Sequence, residues 1–252
     1  MVAGGCVLCR LAPYAVAEGS SHAAAGSPSS HWTYEGEAGA THWSELSPEF
    51  KTCQLGLEQS PINLTSAVTA ELGNLTIGYQ PMKLRIINNG HTIQVNADPG
   101  SSCSINGTRY ELQQFHYHHP SEHLLSGKPF DLECHLVHRS AAGDLAVIGI
   151  FIRPGGMNSA LEPIWRAMPQ HEGPERAVGI SINPAGLLPV ERRLFRYMGS
   201  LTTPPCTQSI IWTVLQQPVE ASPEQIRQFA ALFANNARPV QERNRRYLLQ
   251  SS

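Results

Sequence analysis

Short runs of alternating and β-branched residues, cut by Asn-Gly and Gly-Asp turns, recur along this chain, and they leave little room for any fold that is not mainly sheet. Lys83–Asn88 (KLRIIN), His91–Asn96 (HTIQVN), Tyr110–Tyr117, Leu132–Val137, Leu145–Phe151 and Ser209–Val214 each read as a strand. Cys103 lies in a further strand pattern. Asn88-Asn89-Gly90 is a hairpin signal between the first two strands, and Asn106-Gly107 and Ala142-Gly143-Asp144 are further turns. Helical patterns are few. Asn158–Met168 places Leu161, Ile164, Trp165 and Met168 on one face. Ser222-Pro223-Glu224-Gln225 is a capping box with proline at the first helical position, and it opens a helix with Ile226, Phe229, Ala230 and Phe233 on one face. No internal repeat is visible. The reading is one mainly-β domain, residues 31–252, with peripheral helices.

Composition supports that reading and excludes several functions. The chain has 252 residues, 41% of them hydrophobic, enough to bury a sizeable core. Its 21 glycines and 19 prolines suit a turn-rich sheet protein. Charged residues make up 15%, below the roughly 25% of ordinary globular chains. The net charge of −2 offers no basic field for a nucleic-acid backbone, so no nucleic-acid partner is expected. No apolar stretch approaches the roughly 20 residues of a membrane-spanning helix.

The first thirty residues have a different character. MVAGGCVLCRLAPYAVA is small and apolar, interrupted by Arg10, and Ala15-Val16-Ala17 resembles a signal-peptidase site. SSHAAAGSPSS then reads as a linker. Residues 1–30 are read as an export leader and linker. Of six cysteines, Cys6 and Cys9 belong to this leader, and the body has no CxxC pair of the kind a zinc ribbon uses. For Cys53, Cys103, Cys134 and Cys206, disulfides and buried thiols both stay open.

The densest chemistry lies in QFHYHHPSEH, residues 114–123, with His116, His118, His119 and His123. Side chains alternate along a strand, so Gln114, His116 and His118 share a face and His119 points the other way. In ECHLVH (133–138), Glu133, His135 and Val137 share a face. If the two strands are neighbours, His116, His118 and His135 converge. Three neutral imidazoles and an open position make a catalytic zinc arrangement, whereas a structural site closes with a fourth protein ligand. Gln114 and Glu133, each two residues before a ligand, stand ready to orient the rings. H-x-H alone is weak; H-x-H and E-x-H on two strands, each with a polar partner at the same spacing, is much stronger. His119, His123 and His138 are read as structural histidines.

These pieces together resemble the α-class carbonic anhydrases, most nearly the bacterial exported kind. The resemblance runs from His31-Trp32-Thr33-Tyr34 to Asn236-Ala237-Arg238-Pro239. It includes Gln59-Ser60-Pro61-Ile62-Asn63, Asn88-Asn89-Gly90-His91, QFHYHHPSEH, ECHLVH and SLTTPP (200–205) in order. It implies a single domain on a large, twisted, mostly antiparallel central sheet, and a Zn2+ enzyme interconverting CO2 and bicarbonate by attack of zinc-bound hydroxide. His116, His118 and His135 match the zinc ligands; Gln114 and Glu133 match their supports. Thr202 matches the threonine whose hydroxyl orients the nucleophile and donates to a buried glutamate, here Glu122. Thr203 matches its neighbour at the substrate pocket. His91 matches the proton shuttle and Tyr34 an active-site tyrosine. Asn89 and Gln94 match polar positions that order water. Val137, Val147, Leu201, Ile210 and Trp212 match the apolar wall where CO2 rests. His123 supports the site from behind, and His119 departs from the family pattern and carries no assigned role.

The resemblance also implies a Cys53–Cys206 disulfide, which needs an oxidising compartment and so agrees with an exported, periplasmic or extracellular chain. Cys134 then stays a buried thiol facing away from zinc. A monomer or homodimer is expected. Two rivals stand beside this reading. A catalytically inactive relative acting as a binding module would typically lack a zinc histidine, and all three are here. A cupin-like metal oxygenase would want a carboxylate ligand beside the histidines.

Overall fold

Alternating patterns become paired strands when one set of side chains can be buried, and over most of Leu132–Ser140 and Leu145–Pro154 both sets are. The computed structural model describes residues 31–73 and 75–252, so the expected leader and linker at 1–30 lie outside the described residues. The strands in chain order begin with β1 (Asn63–Leu64), β2 (Val68–Thr69), β3 (Leu75–Gly78), β4 (Met82–Asn88), β5 (Ile93–Asn96), β6 (Ser102–Ile105) and β7 (Thr108–His118). They continue with β8 (Leu124–Leu125), β9 (Leu132–Ser140), β10 (Leu145–Pro154), β11 (Arg176–Ile182), β12 (Leu194–Ser200), β13 (Gln208–Ala221) and β14 (Leu249–Gln250). Twelve form one sheet, in the order β11-β4-β5-β7-β9-β10-β13-β12-β14-β2, with β6 also on β7 and β3 on β6; β1 and β8 pair separately. Within the large sheet only β10–β13 and β14–β2 run parallel. The expected mainly-β, mostly antiparallel sheet with few short helices is what the chain adopts.

Helices stay small: α1 (Trp43–Leu46), α2 (Thr52–Leu55), α3 (Glu162–Ala167) and α4 (Pro223–Ala230). The capping box at Ser222 and Gln225 is formed. α3 is shorter than its apolar pattern, because the Asn158 side chain accepts from the Ala160 and Leu161 amides in a turn and Pro163 opens the helix. β5 also starts late: Asn89 Oδ1 accepts from the amides of His91 and Thr92, which folds those residues into the turn. No described helix is long and apolar enough to cross a membrane.

Period-two alternation sorts the central strands between two cores. Phe115 and Tyr117 of β7, Leu136 of β9, and Ile148 and Ile150 of β10 face a core shared with Ile164 and Trp165 of α3 and Phe229 of α4. Val147 and Phe151 face the opposite way, with Ile62, Tyr197 and Trp212. Fully burying each large apolar chain contributes about 1.5–3 kcal/mol. His116, His118, Glu133 and His135 therefore lie on the second face, on strands fixed by apolar neighbours on the first. A third cluster joins Trp43 to Cys53 and Cys206, with Trp32 and Tyr34 packed against it.

Candidate metal centre and active site

The convergence expected of the histidines depends on register, and β7 and β9 are neighbours in the required one. His116 stands opposite His135 and His118 opposite Glu133, beyond a bulge between Leu112 and Gln114. The bulge re-registers the ladder just before the site, which sets Gln114 opposite Val137. One ring nitrogen from each of His116, His118 and His135 lies within 4.8 Å of the others.

Groups on the far side of each ring decide which nitrogen faces inward, a hydrogen bond for His116 and His118 and a close carboxylate for His135. His116 Nδ1 donates to Gln114 Oε1 at 2.8 Å. His118 Nδ1 donates to the Asn236 carbonyl at 2.8 Å. His135 is reversed, with Nε2 3.0 Å from Glu133 Oε1. The lone pairs of His116 Nε2, His118 Nε2 and His135 Nδ1 are then left for a common centre. His118 Nε2 is buried and has no hydrogen-bond partner, which fits a metal ligand. Burial, then the neighbouring His118 and His135, holds the His116 pKa well below the ordinary histidine value. Burial likewise lowers His118, against the pull of Glu122. Burial would lower His135 as well, but Glu133 more than offsets it and the net direction is up.

His123, Glu133 and His135 form a second close group. Its donor atoms are already used on one another: Glu133 accepts from the His123 amide at 2.9 Å and from His123 Nδ1 at 2.8 Å. His123 Nε2 meets the Tyr197 hydroxyl at 2.7 Å, and that hydroxyl meets Ser60 Oγ at 2.8 Å. Burial opposes ionisation of Glu133, yet His123 and His135 together hold its carboxyl well below the usual range. This group supports the first from behind and leaves no ligand atom for a metal of its own.

Of the remaining expected residues, Glu122 lies beside the histidines, 3.6 Å from His118 Nδ1 and 3.8 Å from His135 Nδ1. Glu122 is buried; its Oε1 accepts from the Arg238 amide at 2.8 Å and its Oε2 has no partner. Thr202 is buried, and no hydrogen bond joins it to Glu122. Thr203 is half-buried, and its carbonyl accepts from the Cys206 amide at 2.8 Å. Val147, Ile210 and Trp212 belong to the second core, with Val137 and Leu201 packed against it, so the five apolar positions form one wall. The Trp212 ring centre is 4.8 Å from that of His135. The His91 ring is half-buried and stacks on Trp32 at 3.7 Å and 6°. Tyr34 packs edge-on against Trp32 and Trp43. Burial, then Glu122, pushes its hydroxyl pKa well up. Cys53 and Cys206 are joined in a disulfide, while Cys103 and Cys134 are free and buried. Asn89 Oδ1 caps its own turn, and Gln94 Nε2 donates to Asn96 Oδ1 at 2.6 Å. His119 turns off the ligand face and its Nδ1 donates to the Ala234 carbonyl. His138 is a core histidine whose Nε2 meets the Tyr79 hydroxyl at 2.8 Å.

Several residues of the site had no individual signal in the sequence. Asn236 holds His118 through its carbonyl, accepts from the His119 amide, and donates Nδ2 to the His91 and Tyr117 carbonyls. The Arg238 guanidinium donates to Gln59 Oε1, the Ser60 carbonyl and the Cys53 carbonyl. Gly149 stands opposite His135, and a Cβ there would come 2.9 Å from Glu133 Oε1. The motif Asn236-Ala237-Arg238-Pro239 was the only local hint for the first two, and nothing local marks Gly149.

Three imidazoles brought together on one face of a large, mostly antiparallel sheet, next to an apolar cluster, make a site that could hold a metal ion. The family model described as eukaryotic-type carbonic anhydrase matches residues 38–252. A carbonic anhydrase of Nostoc sp. is 47% identical over 227 residues, 88% of this chain and 86% of its own length. One from Pectobacterium atrosepticum is 42% identical, covering 90% of this chain and 93% of its own. The structure of the Thermovibrio ammonificans α-carbonic anhydrase with sulfanilamide superposes with a TM-score of 0.85 at 42% identity, over 87% of this chain and 99% of that one. The chain belongs to the eukaryotic-type, or α, carbonic anhydrase family, and is an enzyme of that class.

Proposed function

We propose that this chain is an exported zinc enzyme for the reversible hydration of CO2 to bicarbonate and a proton, with His116, His118 and His135 as the metal ligands. The observation that carries the zinc assignment is the buried, unpartnered Nε2 of His118 within 4.8 Å of donor nitrogens from His116 and His135. Three neutral nitrogen donors suit zinc and leave a position open for chemistry. When bound there, zinc supplies a Lewis acid that brings the pKa of a water to about 7, a figure established for carbonic anhydrase itself rather than obtained from this chain.

Gln114, the Asn236 carbonyl and Glu133 hold the three rings in one tautomer and orientation. Glu122, fixed by the Arg238 amide, keeps Oε2 free to accept from the Thr202 hydroxyl. A threonine hydroxyl that donates to Glu122 presents only its lone pairs to the incoming nucleophile, which orients it for attack. Val137, Val147, Leu201, Ile210 and Trp212 offer CO2 a surface with no competing hydrogen-bond donor except the Trp212 indole, and that N–H is committed to the Ser200 carbonyl at 2.8 Å. Thr203 lies beside Thr202 for the product anion. His91, on the outer side of the site, accepts the proton and releases it to solvent, with Tyr34 lining the route. Burial and then His31 lower its pKa, against Glu172, so the ring stays a ready acceptor at neutral pH. The Cys53–Cys206 disulfide supports an oxidising destination.

Stopped-flow CO2 hydration with a pH indicator tests the proposal. The expected result is a rate far above the uncatalysed one that is lost when metal is stripped and returns with zinc. Folded chain carrying one zinc and showing no catalysis would overturn the enzymatic reading in favour of a binding module.

A further inference from the structure

Away from the histidine centre, beside β12 and β14, lies a cavity of about 840 Å³. That is within the size range of small-molecule sites, roughly 300–1,000 Å³. Its walls are mostly apolar, with Leu57, Ile105, Met198, Ile211 and Tyr247 among them. Three arginines also line it: Arg196, Arg245 and Arg246. No proposed metal ligand or apolar-wall residue is among its lining residues, while Tyr197, whose hydroxyl meets His123 behind the histidine centre, forms part of the wall.

The arginines are unusual in what they lack. Arg196 is only 9% exposed. Its Nε donates to the Thr213 hydroxyl and its Nη1 to the Leu72 carbonyl, both neutral acceptors. Its Nη2 is buried without any hydrogen bond. Arg246 lies over the Tyr197 ring at 5.6 Å and donates only to the carbonyls of Met198, Glu242 and Arg243. Among the described residues, no carboxylate lies within ion-pair distance of any of the three; Glu58, the one acidic residue in the lining, forms no ion pair. Burial pulls down the pKa of both Arg196 and Arg246, with Glu58 acting the other way on Arg246. Buried guanidinium groups are ordinarily matched by a carboxylate or phosphate. Arginines without a paired carboxylate, lining a mostly apolar cavity, offer charge for an anionic head and wall for a hydrocarbon body.

We propose that this cavity is a second binding site, for a small organic anion in which one carboxylate or sulfonate is joined to an apolar body. The head group pairs with the guanidinium groups of Arg196 and Arg246, and the body lies along Met198, Ile211 and Tyr247. A doubly charged or fully polar anion would leave the apolar wall wet, and a neutral amphiphile would leave Arg196 uncompensated.

Calorimetric titration of the zinc-loaded chain with decanoate, decan-1-ol and acetate tests this. Decanoate is expected to bind one site at least tenfold more tightly than either of the others. Met198→Glu, at a half-exposed strand position, is expected to weaken decanoate at least tenfold while leaving CO2 hydration unchanged; Arg196→Gln is expected to remove the preference for decanoate over decanol. Equal affinity for acid and alcohol, no decanoate binding, or decanoate affinity unaltered by Met198→Glu would each overturn the proposal. The Met198 variant keeps the test decisive should Arg196→Gln fail to fold.

Discussion

Gly149 carries no side chain, and Glu133 occupies the space one would fill. The residue is needed because β10 passes directly behind His135. Gly149→Ala should push Glu133 Oε1 away from His135 Nε2, loosening the ring that Glu133 orients. Loss of such a support costs about 10–100-fold in metal affinity. Competition with a chelator would measure this, and unchanged zinc affinity would show that Glu133 does not hold His135. His91 poses a different question, since it touches no ligand. His91→Ala should slow hydration in dilute buffer, where proton transfer limits the rate, and added imidazole should restore it. A variant as fast as the parent in dilute buffer would remove His91 from the proton route. Because burial and His31 lower its pKa, the ionisation governing this transfer in the parent should fall below about 6.5.

At the scale of elements, β7 and β9 show what alternation settles. Leu136 and His135 are adjacent in sequence but face opposite cores. This follows from the period of two, and the assignment of His116, His118 and His135 to one face was legible in the sequence for that reason. The bulge before Gln114 was not legible, because it depends on how β7 pairs with its neighbour rather than on local pattern. The loop after β12 is another non-local element. It bears Thr202 and Thr203 and is tied to α2 by Cys53–Cys206, 153 residues apart. Closing so long a loop stabilises the folded state by up to about 5 kcal/mol in the chain-entropy view. Reduction, or paired Cys53→Ser and Cys206→Ser substitutions, should lower the urea midpoint correspondingly. An unchanged midpoint would mean that the hydrogen bonds of Gln59 to Cys206 and of Ser60 to Ser200 secure the loop without it.

For the whole molecule, the sheet's buried polar groups set its tolerance to acid. His138 is buried, and burial pushes its pKa down to about 4. The unfolded chain takes up that proton near pH 6.5 and the folded chain only near 4, so stability contributed above 6.5 is lost as pH falls through that window. The loss approaches about 3 kcal/mol by linkage. Denaturant melts of the parent and of His138→Gln should show a stability difference that changes between pH 7 and 4. A constant difference would mean that His138 does not titrate with folding.

The sequence by itself determined the strand content, the face on which each histidine stands and the family, because these depend on local alternation and on motifs whose members are near one another. Composition and turn residues likewise fixed a single mainly-β domain without reference to any long-range contact. Tertiary structure alone decided that Asn236 holds His118, that Arg238 joins Glu122 to the Cys53 and Ser60 segments, and that Gly149 makes room for Glu133. It alone placed Arg196 and Arg246 around one cavity, with no ion pair to either among the described residues. Each of these joins residues distant in the chain, and hydrogen bonds and charges act through the few ångströms that folding sets, whatever the separation along the backbone.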